Sequence, residues 1–506
     1  MTNKSSSGLN YNINIKLNEL TPINKEDSTA SVSMSMPADL TKHSKAQLLL
    51  RCQELNITKC ASKTKPQLIE LIQNANANAN ANANANANEL PTPIVHAPIQ
   101  MPIEMQEALT IIDPHNIRFI DLFCGIGGFH QAMNRLNPSS KCVFACDIDE
   151  KCRKTYEQNY HLKPEGDISK VDITTLPPFD ILCGGFPCQS FSNSGKKKGL
   201  EDKRGKLFEY ILSIAARQKP SFMFLENVKH IKKIDDGKVF EHIISRINET
   251  GYHVTTLELS PHQLGVPQQR ERVVFICIRN DLYDKSKSLD FPLPAIPIAL
   301  DRIFEKNPTV TAKYRISPQD EEILTVWDEM IQQFDVGENL SPTIMCNEFN
   351  KFYSPADFAL LPAWKQDYII KNKPIYNKYR EKWDKWFTAH QPLLAKKEIY
   401  GKLEWQAGKK KENDSIFNHF IQLRQSGIRV KKGEYFPTLV AIVQTPIYAK
   451  EKRYITPREC ARLQSFPDNF ILHENDHIAY KQFGNAVNVD VVHFIISNTL
   501  KVYGVV

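Results

Sequence analysis

No uninterrupted apolar stretch in this 506-residue chain approaches the roughly 20 residues that a membrane-crossing helix needs. Residues Met1 to Asn10 carry no apolar core of the secretory type. A helical membrane protein and a secreted precursor are therefore not expected. Paired Cys-x-x-Cys knuckles are also missing. Cys142, Cys146 and Cys152 lie close together, but without such pairs no metal site is expected. The cysteines number 11, an odd count scattered over a long chain, which fits free thiols in a reducing cytoplasm and not a disulfide scaffold. Nor is there a strong excess of either charge: the net value of +7 permits nucleic-acid binding without demanding it. What remains is the composition of a large globular protein with room for two or three domains.

The chain changes texture several times. Residues 1–35 are rich in Ser, Asn and Lys without periodicity and read as disordered. Between 36 and 74, Ser44-Lys-Ala-Gln47 and Thr64-Lys-Pro-Gln67 each read as a helix capping box followed by a short apolar stretch. Two short helices joined by a Lys-containing loop resemble a SAP-type DNA-binding module, with a helical hairpin that merely packs somewhere as the equal alternative. Residues 75–113 form a low-complexity linker: strict Asn-Ala alternation cannot build a core and reads as a flexible tether.

Strands and helices then alternate over 114–281. Phe119–Phe123, Val143–Asp147, Phe179–Leu182, Phe222–Leu225 and Arg272–Ile278 are short apolar strands. Leu207, Ile211 and Ile214 recur at helical spacing between two of them. This rhythm predicts an α/β fold, a mostly parallel sheet covered on both faces, with ligands at the carboxyl ends of the strands. From about 282 the rhythm gives way to interleaved charged and aromatic residues, read as a smaller separate lobe over 282–450, and 451–506 returns to the first domain.

The first strand runs into Cys124-Gly-Ile-Gly-Gly128, where glycines allow a tight turn and close approach to a ligand. Asp147 ends the next strand, where a carboxylate can accept ribose hydroxyls; Asp167 follows the next unit and could hold an adenine amino group. Taken singly, each aspartate reads as a solvated loop residue or a helix cap. As an ordered series on successive strand ends they point to a nucleoside-bearing cofactor.

The next strand delivers Gly184-Gly-Phe-Pro-Cys-Gln-Ser-Phe-Ser192. Together with Phe119–Gly128, Glu226-Asn-Val228, Gln268-Gln-Arg-Glu-Arg272, Arg458-Glu-Cys-Ala-Arg-Leu-Gln-Ser-Phe-Pro467 and Phe483-Gly-Asn-Ala-Val487, these blocks resemble the DNA cytosine-5 methyltransferase family in order and spacing. The resemblance implies a Rossmann-like, S-adenosylmethionine-dependent domain. It implies that Cys188 attacks cytosine, that Glu226 engages the ring nitrogen N3 and the exocyclic amine, and that Arg272 binds O2 while Arg270 supports the site or a phosphate. It implies a cofactor pocket of Phe123, Gly125, Gly127, Gly128, Asp147, Ile148, Asp167, Ile168, Asn485 and Val487. The basic, Gly-punctuated stretch from Ser192 to Gly205 has the character of a mobile lid. Gln189, Ser192, Lys196 and Arg204 are expected to meet DNA there, and Ser194 to fill the gap left by a departed base.

A stacked cytosine cannot be reached at carbon 6 by a buried thiol, so the base is expected to rotate out of the duplex. The resemblance makes 282–450 a target-recognition region, with Pro437-Thr-Leu439 similar to the element that closes it, and duplex DNA the partner. A monomer in the cytoplasm, on the nucleoid if the source is bacterial, with a cognate restriction endonuclease acting separately, completes the expectation. Two rivals remain: a transfer-RNA cytosine-5 methyltransferase of the same fold, and an inactive DNA-binding regulator that kept it.

Overall fold

The computed structural model describes residues 64–70, 112–187, 206–340, 343–349, 351–442 and 444–506. Of the N-terminal unit only one short helical stretch is described, residues 65–70, where the Thr64 amide donates to the Gln67 side chain at 3.0 Å. That is half of the second expected capping box. The rest of the SAP-like reading, including the first box, and the Asn-Ala tether lie outside the described residues.

Strand β1 (Arg118–Leu122) leads through the glycine-rich turn into α1 (Gly128–Leu136), and β2 (Lys141–Cys146) into α2 (Glu150–Tyr160). Asp149 caps α2 by accepting the amides of Lys151 and Cys152, which leaves two fewer orphan donors at that end. Then come β3 (Ile181–Gly185), α3 (Lys206–Gln218), β4 (Phe222–Val228), α4 (Lys238–Glu249), β5 (Tyr252–Leu259) and β6 (Arg272–Arg279). The sheet order is β2-β1-β3-β4-β6-β5. Strands β1 to β4 are parallel, whereas β6 runs antiparallel to both β4 and β5. The expected α/β sheet is thus present and mostly parallel, with one reversed strand that the apolar pattern alone could not orient.

Side chains alternate across each strand, so the sheet feeds two cores. Phe119, Ile181, Phe222, Phe224, Val274 and Ile276 face α1 and the C-terminal helix; Ile120, Leu122, Leu182, Met223, Leu225 and Phe275 face α3 and α4. Burial on both faces explains why these strands read as near-continuous apolar runs.

The second sheet is built by α5 (Pro318–Gln332), β7 (Ile344–Met345), α6 (Ala363–Lys378), α7 (Arg380–Leu394), β8 (Lys402–Gln406), β9 (Phe420–Arg424), β10 (Gly427–Lys431), β11 (Ile447–Tyr448) and β12 (Arg453–Tyr454). Its order is β12-β11-β9-β10-β8-β7, and it has its own core around Trp327, Trp383, Trp386 and Trp405. This core begins at Ile316. Leu289, Ile303 and Phe304, assigned to the lobe by sequence texture, pack instead with the first sheet.

The chain returns through α8 (Pro457–Leu463), α9 (Asp476–Asn485) and α10 (Val489–Val502). Helix α8 joins the two sheets. Its Glu459, fully buried, accepts both Nη atoms of Arg453 from β12 at 2.7 and 2.8 Å, together with the amides of Glu305 and Thr456. Arg462 of the same helix donates to the carbonyls of Ile303 and Phe304.

Removing one member of a buried pair strands the other in a medium that cannot solvate it. Arg453→Met is therefore expected to lower stability by about 3–5 kcal/mol in equilibrium urea unfolding. Arg453→Lys, which keeps the charge but not the fork, should lose less than half as much.

Candidate active site

The turn after β1 is held by its neighbours. Phe123, Gly125 and Gly127 have φ of 55°, 54° and 86°, and the amide of Cys124 donates to the carbonyl of Cys146 at the end of β2. The Asp147 carboxylate accepts the amides of Gly125 and Asp149, each at 2.8 Å. Burial raises the Asp147 pKa, and these two donors oppose that rise. The glycines differ in purpose. A Cβ on Gly127 would lie 2.2 Å from the Tyr160 ring, and one on Gly128 would lie 2.6 Å from the Val487 carbonyl oxygen. Packing requires both. Gly125 alone of the three faces open space, so it is the one that can meet a ligand closely.

Ile148 projects beside this turn with 77% of its surface exposed, unusual for so apolar a residue at a strand end. Asp167 is half-buried; its carboxylate accepts the Ser169 amide at 2.9 Å, which lowers its pKa, and it borders a cleft of about 650 Å³ with Phe144 and Gly166. Ile168, also expected in the pocket, puts its side chain into the core beside Leu122 and contributes only backbone to any surface. Asn485 is exposed at the end of α9.

Val487 connects these parts to the catalytic end. Its carbonyl covers Gly128, and its side chain reaches Gly185 at the end of β3, where an added Cβ would also be 3.6 Å from Glu226 Oε2. Gly185 and Glu226 are register partners in adjacent parallel strands. Glu226 is 9% exposed, and its Oε1 accepts Arg272 Nε at 2.7 Å. Arg272 opens β6 opposite Val228, two residues along the neighbouring strand from Glu226. A carboxylate and a guanidinium thus stand paired at the edge of the sheet, largely screened from water.

Cys188, Gln189, Ser192, Ser194, Lys196 and Arg204 lie outside the described residues. The approach to Cys188 is described as far as Pro187. Phe186 is buried against Phe208 and Phe275, and its carbonyl accepts Asn227 Nδ2 at 3.0 Å. The chain thus leaves β3 beside Glu226, and Cys188 follows three residues after Gly185.

Arg270, expected to support the site or a phosphate, precedes β6. With 2% exposure it reaches no phosphate; its guanidinium donates to the carbonyls of Leu439, Gly484 and Ala486 at 2.8, 3.1 and 2.9 Å. Burial, and then the charge of Arg272, push its pKa down. It is a cross-link behind the site. The neighbouring chain is sewn to the same place: Thr438 Oγ1 donates to the Gln269 carbonyl at 2.6 Å, and Gln268 Nε2 to the Leu463 carbonyl at 3.2 Å. Asn227, Ser260 (which accepts the Arg270 amide at 2.9 Å) and Gln464 (which donates to the carbonyls of Phe483 and Ala486) were assigned no role from sequence. Their positions beside motif blocks were the available signal.

Aromatic rings support the cofactor turn from below. His130 of α1 is 7% exposed, stacks on Tyr160 at 3.9 Å between centroids, and its Nδ1 lies 2.7 Å from the Tyr156 hydroxyl. Tyr160 in turn donates to the Gly127 carbonyl at 2.8 Å. Among the described residues no group of three His, Cys, Asp or Glu is placed to hold a metal ion, and no helix is long and apolar enough to cross a membrane.

Fold and site together define an α/β enzyme with a glycine-rich turn at the end of β1 and a carboxylate–guanidinium pair across β4 and β6. The sequence of residues 117–501 matches the model of the C-5 cytosine-specific DNA methylase family, and the chain belongs to that family; it is a DNA (cytosine-5-)-methyltransferase. Type II methyltransferase M.HhaI of Haemophilus parahaemolyticus is 32% identical over 382 residues, covering 76% of this chain and 94% of that protein. Type II methyltransferase M.BanI of Aneurinibacillus aneurinilyticus is 33% identical over 430 residues, covering 76% and 95%. Among solved structures, S. pombe Dnmt2 methyltransferase aligns over 76% of this chain and 98% of its own with a TM-score of 0.45 and 19% identity.

The buried His130 has a testable pH signature. Burial lowers its pKa from 6.5 to about 3, so from pH 6.5 downward the unfolded chain takes up a proton that the folded one refuses. The stability that His130 contributes is present above pH 6.5 and is lost as the pH falls toward 3. The difference in urea stability between wild type and His130→Gln, measured at pH 7, should shrink by about 2 kcal/mol at pH 5.

Proposed function

We propose that this protein transfers a methyl group from S-adenosylmethionine to carbon 5 of a cytosine rotated out of duplex DNA, with Cys188 as a transient covalent nucleophile. The observation that carries this reading is the shielded Glu226–Arg272 pair, held beside Gly185 three residues before Cys188 and joined through Val487 to the glycine-rich turn. The residues fit the cofactor. Ile148 offers an exposed apolar face, the space over Gly125 is open, and each Asp147 oxygen keeps a second lone pair for a ribose hydroxyl beyond the amide it accepts. Asp167, half-buried at its cleft, and Asn485, exposed, are assigned to the adenine amino group and the methionine end. S-Adenosylmethionine, when bound, supplies an electrophilic methyl group.

The chain's own residues do the rest. Carbon 5 of cytosine is a poor nucleophile until the Cys188 thiolate adds at carbon 6 and makes the ring enamine-like. Glu226, as the carboxylic acid, gives its proton to N3 as the thiolate adds, its carboxylate accepts from the exocyclic amine, and the N3 proton returns to it when the aromatic ring is restored. Arg272, already oriented by Glu226, donates to O2. Once carbon 5 bears the methyl group, loss of its proton returns the electron pair that expels Cys188 as thiolate. Arg270 touches none of these atoms and is a positioning residue. Gln189, Ser192, Ser194, Lys196 and Arg204 would line the DNA side, and the lobe around the second sheet would choose the site. The reading carries with it a cytoplasmic monomer acting on DNA. Its relatives are type II methyltransferases, so a modification role beside a separate endonuclease of matching site is part of the proposal.

Bisulfite sequencing of DNA from cells expressing the protein should show 5-methylcytosine in one sequence context. Cys188→Ala should abolish it, leaving affinity for S-adenosylmethionine within about threefold of wild type, because the thiol acts only in the chemical step. Retained methylation in Cys188→Ala would refute the assignment. Methylation confined to transfer RNA would refute the substrate.

A further inference from the structure

The second sheet has two unlike faces. Leu403, Trp405, Ile421, Ile428 and Val430 point into the core of the lobe. Alternation puts Glu404, Gln422, Arg424, Arg429 and Lys431 on the other face, and the register sets Arg429 beside both Gln422 and Glu404. Phe420 shares that polar face, yet it is buried and stacks on Phe436 at 3.8 Å within the core of the first sheet. The polar face therefore starts at the catalytic domain and runs outward from it along β9. It ends at Arg424, the last residue of β9, before the exposed two-residue turn of Gln425 and Ser426.

The same patch is tied to the catalytic pocket by the chain. Leu439, whose carbonyl is held by Arg270, lies five residues before Gln444. The Gln444 carbonyl accepts Gln422 Nε2, and its Oε1 accepts Arg424 Nε, both at 3.1 Å. Arg429 is fixed by Glu404 at 2.7 Å. Arg424 has no carboxylate, and its Nη1, shielded from water, has no hydrogen-bond partner among the described residues. Three cations crowd one carboxylate, and burial and mutual repulsion push the pKa values of Arg424 and Lys431 down. Arg453, buried more deeply, has a carboxylate oxygen for each of its three nitrogens. A guanidinium at a hairpin tip with an unmet donor is costly until an acceptor-rich ligand arrives. The half-buried Gln444 side chain beside it is an amide of the kind suited to base edges, Gln422 being buried beneath, and a two-stranded ribbon fits the major groove.

We propose that the β9–β10 hairpin enters the major groove and that Arg424 specifies a guanine in the recognition site, turning from Gln444 to donate its fork to O6 and N7. This rests on the reading of the protein as a duplex-DNA methyltransferase. Arg429, held by Glu404, positions the hairpin face beside it.

The test uses the full-length protein, S-adenosylmethionine and a duplex library with the bases around a fixed cytosine randomised, read by bisulfite sequencing. Wild type should require guanine at one position. Arg424→Lys and Arg424→Ala should each relax that position by roughly 5- to 150-fold while preference elsewhere persists. Lysine keeps the charge but not the planar fork, so Arg424→Lys with wild-type preference would mark a phosphate contact and overturn the proposal. A uniform loss of rate with unchanged context in both variants would mark a structural role and overturn it too. A wild-type context without guanine also sinks it. If Arg424→Ala fails to bind S-adenosylmethionine, Arg424→Lys decides. Wild type that methylates no duplex at all refutes the parent reading instead.

Discussion

A guanidinium with 2% exposure has to be met by something other than water, and Arg270 is met by three backbone carbonyls. Leu439, Gly484 and Ala486 come from chain segments separated from it by 169 to 216 residues. One side chain thus gathers the strand that leaves the second sheet, the helix end that carries Asn485, and the residue just before Val487. Because an unmet buried donor is expensive, these segments are bound to a common point. Gly484 shows how tight the junction is: a Cβ there would sit 2.4 Å from the backbone of Val440. The geometry around Glu226 and Arg272 inherits its definition from this junction behind it.

The division of labour between the two sheets follows from what each strand end carries. In the first sheet, β1, β3, β4 and β6 are buried on both faces, so most polar groups emerge at the ends of these strands. That concentrates Asp147, Glu226 and Arg272 along one edge, with Val487 as the shared neighbour of the cofactor turn and the catalytic strand. In the second sheet one face is buried in the core of the lobe, and the other holds Gln422, Arg424, Arg429 and Lys431. Helix α8 keeps the two sheets registered through Glu459, whose carboxylate serves β12, the segment at Glu305 and its own helix start at once.

Much of the fold was legible from residue order. Apolar strands such as Phe222–Leu225 announce themselves because they are buried on both faces, and the motif blocks gave the reaction class before any coordinates. Strand β5 escaped notice because Tyr252–Leu259 is only half-buried and mixes His, Thr and Glu into its pattern. The second sheet was missed as a sheet: its strands are two to five residues long and pair across large gaps, β8 with β10 and β11 with β9. The glycine-rich turn read as a uniform ligand cradle, whereas Gly127 and Gly128 answer to Tyr160 and Val487 and only Gly125 to open space.

By itself, the sequence determined the family: Cys188 after Pro187, Glu226 after an apolar strand and Arg272 at the start of another stand at the spacings of the cytosine-5 methyltransferase blocks. Tertiary structure alone decided how two neighbouring arginines are held: Arg270 clamps backbone carbonyls and Arg272 pairs with Glu226. Arg270 and Arg272 are chemically identical and two positions apart. Burial among carbonyls commits the first to the fold, and pairing with Glu226 at the sheet edge commits the second to the site. Environment, set by residues hundreds of positions away, made that distinction.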